Sequence, residues 1–344
     1  MPMHTNTLRL VLAIAVMLLL ALAMPGCERR APAPGAQSHG PLVVVATTAQ
    51  IADLARAAAG PQLGKALTVE SIMGQGVDPH TYKLTRSDAA RLDAADVVLA
   101  SGLHLEGKLA DTLTQLKASG KRVVLVADEL PESELIAAGT TGQSAKAHDP
   151  HFWMDTHLFG LASGIVAQTL SQALPEHAQT FAEGSAEYRK QLAKLDDYAR
   201  LILSQVPPQQ RILVTSHDAF AYLGRRFGLE VHAIQGISTE SEASVRDIEA
   251  LAKLIAEHKV NAVFVESSVP RRTIDALIAA TGARGHTVGI GGELFSDAMG
   301  RPGTYEGTYI GMLDYNLTTI ARALGASPPP PPRGMQGLLA EAAK

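Results

Sequence analysis

One stretch of the chain, residues 175–206, carries a nearly unbroken apolar stripe at helical spacing. Apolar side chains recur there every third or fourth residue, and Ser185 is the one polar member of the stripe. Pro175 suits the first turn of a helix, whereas Pro207 cannot continue one. The pattern predicts a single amphipathic helix, roughly 45 Å long at 1.5 Å per residue, with Gly184 as its local weak point. A long core helix and a spine between two lobes both fit this pattern.

The chain on either side of this helix favours the spine, because short β-branched runs alternate with helical segments in both halves. Strands that alternate with helices predict parallel pairing and a sheet covered on both faces. We therefore expect an α/β protein with two parallel-sheet lobes joined by one long helix. The predicted strands are 42–47, 69–73, 96–100 and 122–127 before the helix, and 211–216, 230–234, 261–266 and 286–290 after it. The predicted helices are 50–59, 87–94 and 106–118 before it, and 218–227, 245–258, 270–280 and 306–324 after it.

The N-terminus has the pattern of an export signal. Arg9 precedes an uncharged apolar run at residues 10–24, which is the length of a signal-peptide core and too short to span a bilayer comfortably. Cys27, the only cysteine, follows Gly26 and resembles the lipidated cysteine of bacterial lipoproteins. An ordinary secretory leader with an incidental cysteine is the alternative. Met24 and Pro25 depart from the usual lipobox, which bears on the efficiency of processing more than on export. We expect an exported protein, lipid-anchored at Cys27 to a membrane and facing the periplasm or the cell exterior.

These patterns divide the chain into six parts. They are a lipoprotein signal peptide (1–26), a tether (27–40), an N-terminal α/β lobe (41–174), a linking helix (175–206), a C-terminal α/β lobe (207–325) and a Pro-rich tail (326–344).

Composition narrows the functional class. The chain has 344 residues, of which 46% are hydrophobic, and this is enough for two cores. A net charge of −4, no long basic run and only 4% aromatic residues argue against nucleic acid as a partner. A single cysteine leaves no internal disulfide, so packing must stabilise the fold.

Four polar side chains follow predicted strands, where ligands bind in open α/β sheets. They are His80, His151, His217 and Asp297, two on each side of the long helix. Three imidazoles and one carboxylate suit a divalent transition metal.

Two of these histidines lie in the same tripeptide, Asp-Pro-His, at residues 78–80 and 149–151. The proline stiffens each approach, and the nearby aspartate is placed to orient an imidazole. His148 and His157 flank one of these tripeptides and remain possible auxiliary ligands. The other histidines fall in the leader, the tether or regular elements.

Several short motifs together resemble the substrate-binding lipoproteins of ABC importers for manganese and zinc, also called metal-binding adhesin lipoproteins. The motifs are GVDPHTY (76–82), GLHLE (102–106), DPHFWMD (149–155), VTSHDAF (214–220), QGISTE (235–240) and LFSDAMG (294–300). The resemblance extends over residues 42–324. It implies two lobes joined by one long helix, with the metal held between them by His80, His151, His217 and Asp297.

The resemblance implies a carrier that captures zinc or manganese and delivers it to an ABC permease, with no catalytic cofactor, and we expect it to be a monomer. A metal-dependent hydrolase is the rival hypothesis, with Glu240, Glu242 or Glu266 as its base. The sequence lacks the His-Glu-x-x-His and Gly-x-Ser-x-Gly motifs, which argues against an enzyme. A surface adhesin is the third reading.

The sequence leaves the choice of metal open. Manganese branches of the family often carry glutamate at position 217, where this chain has histidine. Many zinc-dedicated members carry a histidine-rich insert before His151, and residues 128–150 contain only His148. Imidazole ligands favour zinc, since manganese stands lowest in the affinity order of divalent metals.

Overall fold

The computed structural model describes residues 40–139 and 147–331. The predicted signal peptide, most of the tether with Cys27, and the end of the tail lie outside these residues. The described residues from Pro41 onward belong to one compact unit. None of the helices in the described ranges combines the length and apolar character needed to cross a bilayer.

The N-terminal lobe is built on a four-stranded sheet in which every neighbouring pair is parallel. The strand order is β2-β1-β3-β4, so the strands run side by side with their carboxyl ends at one edge. In chain order its elements are β1 (Leu42–Ala46), α1 (Ala49–Ala59), β2 (Leu67–Ser71), α2 (Arg86–Ala94), β3 (Val97–Ala100), α3 (Ala110–Ala118) and β4 (Arg122–Leu125).

Two antiparallel helices follow, α4 (Thr156–Ala173) and α5 (Ala178–Leu203). The sequence patterns did not predict α4, which packs along α5 and α1. A helix that is covered by neighbours on more than one side has no polar face to reveal its period. Asp155 starts α4 by accepting a hydrogen bond from the backbone N–H of His157 at 2.9 Å.

The long helix predicted at residues 175–206 is confirmed as α5, preceded by a 3₁₀ turn at Pro175–His177. Its 26 residues make a rod of about 39 Å. The predicted stripe is buried from Phe181 to Ile202. Ser185, its polar exception, exchanges a 2.8 Å hydrogen bond with Ser163 of α4, so its hydroxyl is satisfied inside the interface.

The C-terminal lobe contains two parallel strand pairs, β5-β6 and β7-β8, with β5 beside β7. The α/β class and the two-lobe organisation expected from the sequence are confirmed. The elements of this lobe are β5 (Ile212–His217), α6 (Ala221–Phe227), β6 (Glu230–Gln235), α7 (Val245–His258), β7 (Ala262–Glu266), α8 (Arg272–Gly282), β8 (Gly289–Leu294) and α9 (Tyr309–Ala323).

The last strand differs most from its prediction, since β8 begins and ends three to four residues later than the predicted 286–290. Its sequence, GIGGEL, has too few side chains to show a strand pattern. The glycines are required by packing: a Cβ on Gly291 would lie 2.8 Å from the Ala323 Cβ of α9. The later end of β8 brings Asp297 close to the edge of the sheet.

Gly184, the predicted local weak point of α5, also has a packing role. A Cβ at this position would lie 2.3 Å from the carbonyl oxygen of Ala58 and 2.7 Å from that of Ala57, so the glycine allows α5 to contact the end of α1. We expect Gly184→Ala to lower the free energy of unfolding by roughly 1–3 kcal/mol, because the clash outweighs the gain of about 1 kcal/mol that alanine brings to a helix.

Gly164→Ala in α4 is the matched control, because nothing lies within 4 Å of its added Cβ. This variant should be up to about 1 kcal/mol more stable than the wild type. Urea unfolding of both variants measures the difference. Equal stability of the two variants would contradict a close contact at Gly184.

Candidate metal centre

The structure brings the four predicted side chains together. His80, His151, His217 and Asp297 are all buried, and one potential ligand atom from each lies within 4.8 Å of the others. His80 lies in the loop after β2, and His151 directly precedes the 3₁₀ turn Phe152–Met154 that leads to α4. His217 is the last residue of β5, and Asp297 follows β8. Each lobe therefore supplies two side chains to a site between them.

The nitrogen and oxygen atoms at the centre of this group face each other. The Nε2 atoms of His80 and His151 lie 3.3 Å apart. Asp297 lies between His151 and His217, with Oδ1 at 3.3 Å from His151 Nε2 and Oδ2 at 3.2 Å from His217 Nε2. Within the described residues, His217 Nε2 and Asp297 Oδ1 are buried and make these close contacts without forming a hydrogen bond. Buried polar atoms left in this way are suited to a bound cation.

The ring of His151 is held by Asp149. Its Nδ1 lies 2.7 Å from Asp149 Oδ1, and the same oxygen accepts the His151 backbone N–H at 2.9 Å. Tyr222 donates its hydroxyl to the carbonyl oxygen of Asp149 at 2.8 Å, so α6 of the other lobe supports this segment. The carboxylate at Nδ1 directs Nε2 toward the centre of the site.

Glu266 holds His217 in the same way, a role that the sequence analysis missed. Its Oε2 lies 2.5 Å from His217 Nδ1, while Oε1 accepts the backbone N–H groups of Ser216 and His217 at 2.8 and 2.9 Å. The sequence showed only that Glu266 ends a predicted strand, whereas its contact with His217 follows from the position of β7 beside β5. Neighbouring strands cannot be identified from the sequence alone.

Trp153 and Gln50 tie the Asp297 loop to the N-terminal lobe. Trp153 Nε1 donates to the carbonyl oxygen of Ser296 at 3.0 Å, and Gln50 Nε2 donates to that of Asp297 at 2.9 Å. The Trp153 ring also lies edge-on to His151, with 5.2 Å between ring centroids. These contacts fix the position of the one carboxylate in the site.

The four groups differ in protonation because their neighbours differ. Burial lowers the pKa of His80 to about 4, so this ring is neutral at pH 7. Burial would also lower the pKa of His151, but the Asp149 and Asp297 carboxylates outweigh it and raise the value to about 9. The pKa of His217 is likewise raised well above its usual value, because Asp297 and Glu266 outweigh its burial. Burial opposes ionisation of Asp297, yet His217 and His151 hold its pKa well below the usual range.

The two auxiliary candidates lie outside this group. His148 lies 3.6 Å from Glu132, and the half-exposed His157 lies 3.1 Å from Glu134. Neither belongs to the buried group of potential ligands.

Comparison with known proteins identifies the family. The family model described as zinc-uptake complex component A periplasmic (ZnuA) matches residues 44–323. The chain is 43% identical over 311 residues to the manganese-binding lipoprotein MntA of Bacillus subtilis (strain 168), covering 90% of this chain and 98% of that protein. It is 42% identical over 289 residues to the zinc-binding protein TroA of Treponema pallidum (strain Nichols), covering 84% and 91%. The solved structure of periplasmic TroA superposes with a TM-score of 0.78 and 42% identity, covering 83% of this chain and 99% of that one.

Two parallel-sheet lobes around a buried group of three histidines and one aspartate define a metal-binding substrate-binding protein. The chain belongs to the ZnuA family, which includes the substrate-binding proteins of manganese and zinc ABC importers. Proteins of this class work with a membrane permease and an ATPase, and the metal is the transported ligand rather than a catalytic cofactor.

Metal binding at this site should release protons at neutral pH. His151 and His217 both have raised pKa values and carry protons in the metal-free protein, whereas His80 does not. A metal ligand must be a neutral imidazole, so binding near pH 7 should release about two protons, and the apparent affinity should rise as pH increases from 7 toward 9.

Calorimetric titration with zinc in buffers of different ionisation enthalpy measures the number of protons released. The count should fall as the pH approaches 9, where His151 loses its proton without metal. Binding without proton release at pH 7 would show that both rings are already neutral.

Proposed function

We propose that this protein captures a zinc or manganese ion between its two lobes and delivers it to the permease of an ABC importer. His80, His151, His217 and Asp297 are the proposed ligands. The observation that carries this proposal is the buried group of three imidazoles and one carboxylate supplied equally by the two lobes. Neither lobe holds all four side chains, so separation of the lobes would divide the ligand set and weaken metal binding. A carrier needs such weakening when it delivers the metal.

The orientation of the rings supports these ligand assignments. Asp149 and Glu266 occupy the Nδ1 atoms of His151 and His217, so each ring presents Nε2 to the centre. Metal-bound histidines in proteins are commonly held by a carboxylate in this way, which also increases their basicity as ligands.

The surroundings of the site favour a carrier over a hydrolase. A catalytic metal keeps an open position for water, usually beside a general base. Glu266 already accepts from three groups, including the imidazole of His217. Glu240 and Glu242 form ion pairs with Lys108 and Arg272. We therefore propose that the protein is not an enzyme.

The composition of the ligand set suggests a zinc preference. Imidazole suits zinc, and manganese forms the weakest complexes of the divalent series. Relatives of similar identity are named for manganese and for zinc, so overall similarity does not choose between them. We expect both metals to bind the isolated protein, with zinc binding more tightly.

The metal site can be tested by direct titration. Elemental analysis of protein purified without added metal, followed by zinc and manganese titration of the stripped form, should show one site. Metal at a hundred times its dissociation constant should add about 2.7 kcal/mol to the stability and raise the melting temperature. His80→Ala, His151→Ala and Asp297→Ala should abolish this shift.

His157→Ala is the matched control for the titration, because this ring pairs with Glu134 outside the site. It should bind metal as the wild type does. Full binding by any one of the three ligand variants would remove that residue from the site, and a wild type without metal binding would refute the proposed function.

The relatives that are named lipoproteins support an exported protein held at a membrane. We propose that Cys27 carries the lipid, that the protein faces the periplasm or the cell exterior, and that it works as a monomer. We also propose the division of the chain into six parts, from signal peptide to tail, with the bounds predicted in the sequence analysis.

Cys27→Ser tests the anchor. The substitution removes the thiol that would carry the lipid, so the protein should be unlipidated, and where the leader is still cleaved it should move from the membrane fraction to the soluble fraction of fractionated cells. Protein size and metal content serve as controls for an intact fold. A wild type that is already soluble would contradict the anchor.

A further inference from the structure

Two contacts join the lobes at residues that are not proposed ligands. The Thr239 hydroxyl, in the loop after β6, donates to Asp78 Oδ2 at 2.6 Å. The next residue, Glu240, forms a 2.6 Å ion pair with Lys108 of the N-terminal lobe. We call these four residues, Asp78, Lys108, Thr239 and Glu240, the clasp.

The clasp reaches the metal site through Asp78. The Oδ1 atom of Asp78 accepts the backbone N–H of His80 at 2.9 Å. Its Oδ2 atom accepts the hydroxyl of Thr81 at 2.9 Å, in addition to that of Thr239. One carboxylate therefore connects the backbone of His80 in one lobe to a side chain of the other.

His80 needs this support more than the other two histidines do. Asp149 and Glu266 hold the Nδ1 atoms of His151 and His217 directly. In the described part of the chain, no carboxylate holds the Nδ1 atom of His80 in this way, and Asp78 bonds to its backbone instead. The position of this imidazole consequently depends on the conformation of the loop that carries it.

That loop also lies directly against the other lobe. Gly76 has a positive φ of 70°, and a Cβ placed on it would lie 3.5 Å from the Ser267 carbonyl oxygen, just after β7. The loop between β2 and α2 is thus in contact with the C-terminal lobe at Ser267 and at Thr239. Separation of the lobes would break both contacts and release the loop.

We propose that Asp78 and Thr239 are positioning residues that hold His80 in the site while the lobes are closed, and that the clasp must open before the metal leaves. The inference rests on the proposed capture of metal between the lobes. The hydroxyl–carboxylate bond is the stronger part, because it is partly buried and charge-assisted. The Lys108–Glu240 pair is about half exposed, so solvent weakens it.

The test measures how fast zinc leaves the full exported chain when an excess of chelator is added. Thr239→Val keeps the shape of the side chain and removes its hydroxyl, so we expect zinc to dissociate roughly tenfold faster. Thr239→Ser keeps a hydroxyl and should restore a rate close to that of the wild type. Without metal, Thr239→Ser should melt near the wild-type temperature, and any fall in Thr239→Val measures the stability that this hydroxyl–carboxylate bond gives to the metal-free protein.

Thr114→Val is the matched control for the loss of a hydroxyl. Thr114 is exposed on α3, and among the described residues its hydroxyl donates only to the carbonyl oxygen of Ala110 in the same helix. Zinc should dissociate from this variant at the wild-type rate. An unchanged rate in Thr239→Val, or equally fast release from Thr239→Ser, would overturn the positioning role.

The ion pair is tested by Lys108→Met, with Lys190→Met as its control. Lys190 forms a similar exposed pair with Glu187 within α5, away from the contact between the lobes. Lys108→Met should accelerate release about twofold to fivefold at low salt, and the difference from wild type should shrink at high salt. Equal changes in the zinc dissociation rate in the two variants would show that the Lys108–Glu240 pair does not contribute to the clasp.

These measurements distinguish a failure of the clasp from a failure of the proposed carrier function. Zinc binding with unaltered release from the clasp variants would overturn only the positioning role and leave the proposed carrier function intact. Failure of the wild type to bind zinc or manganese would overturn the carrier function, and the clasp inference with it.

Discussion

The placement of Asp297 between two imidazoles is the constraint on which the rest of the structure depends. Its carboxylate is buried, and its oxygens face His151 from one lobe and His217 from the other. An ionised carboxylate in such a place is stable only beside positive charge, which the two protonated rings supply before metal binds. A divalent metal can replace those protons without leaving the carboxylate unpaired. The same group therefore suits both the metal-free protein and the proposed metal-bound one.

The fold brings the proposed ligands together by opposing the carboxyl ends of the parallel strands of the two lobes. In each lobe, one buried glutamate joins the ends of neighbouring strands. Glu106 accepts from Thr47 after β1 and from the backbone of Ser101 after β3. Glu266, at the end of β7, accepts from the last residues of β5. Helix α5 packs against α1, α4 and α9, so it connects both lobes to one rigid element.

Much of this arrangement could be predicted from the sequence because it depends on local patterns. Short apolar runs identified the strands, and the residues that follow them gave the four side chains that the structure brings together. Helix α4 was missed because burial on several sides hides its period. The position of β8 was wrong because its glycines are selected by contact with α9. The roles of Glu266 and Thr239 depend on contacts between segments that are distant in sequence, and no local pattern records such contacts.

The two lobes hold their ligands differently, and this difference suggests which part of the site moves. His217 lies within β5 and is fixed at its backbone and its ring by Glu266, so it belongs to the sheet itself. His80 lies on a loop. The carboxylate of Asp78 accepts hydrogen bonds from the His80 backbone and from the hydroxyl of Thr239 in the opposite lobe. His217 and Asp297 on the C-terminal lobe can hold a bound metal through nitrogen and oxygen while the loop that carries His80 moves. Opening would then remove His80 first, and the metal would reach the permease with fewer ligands still attached.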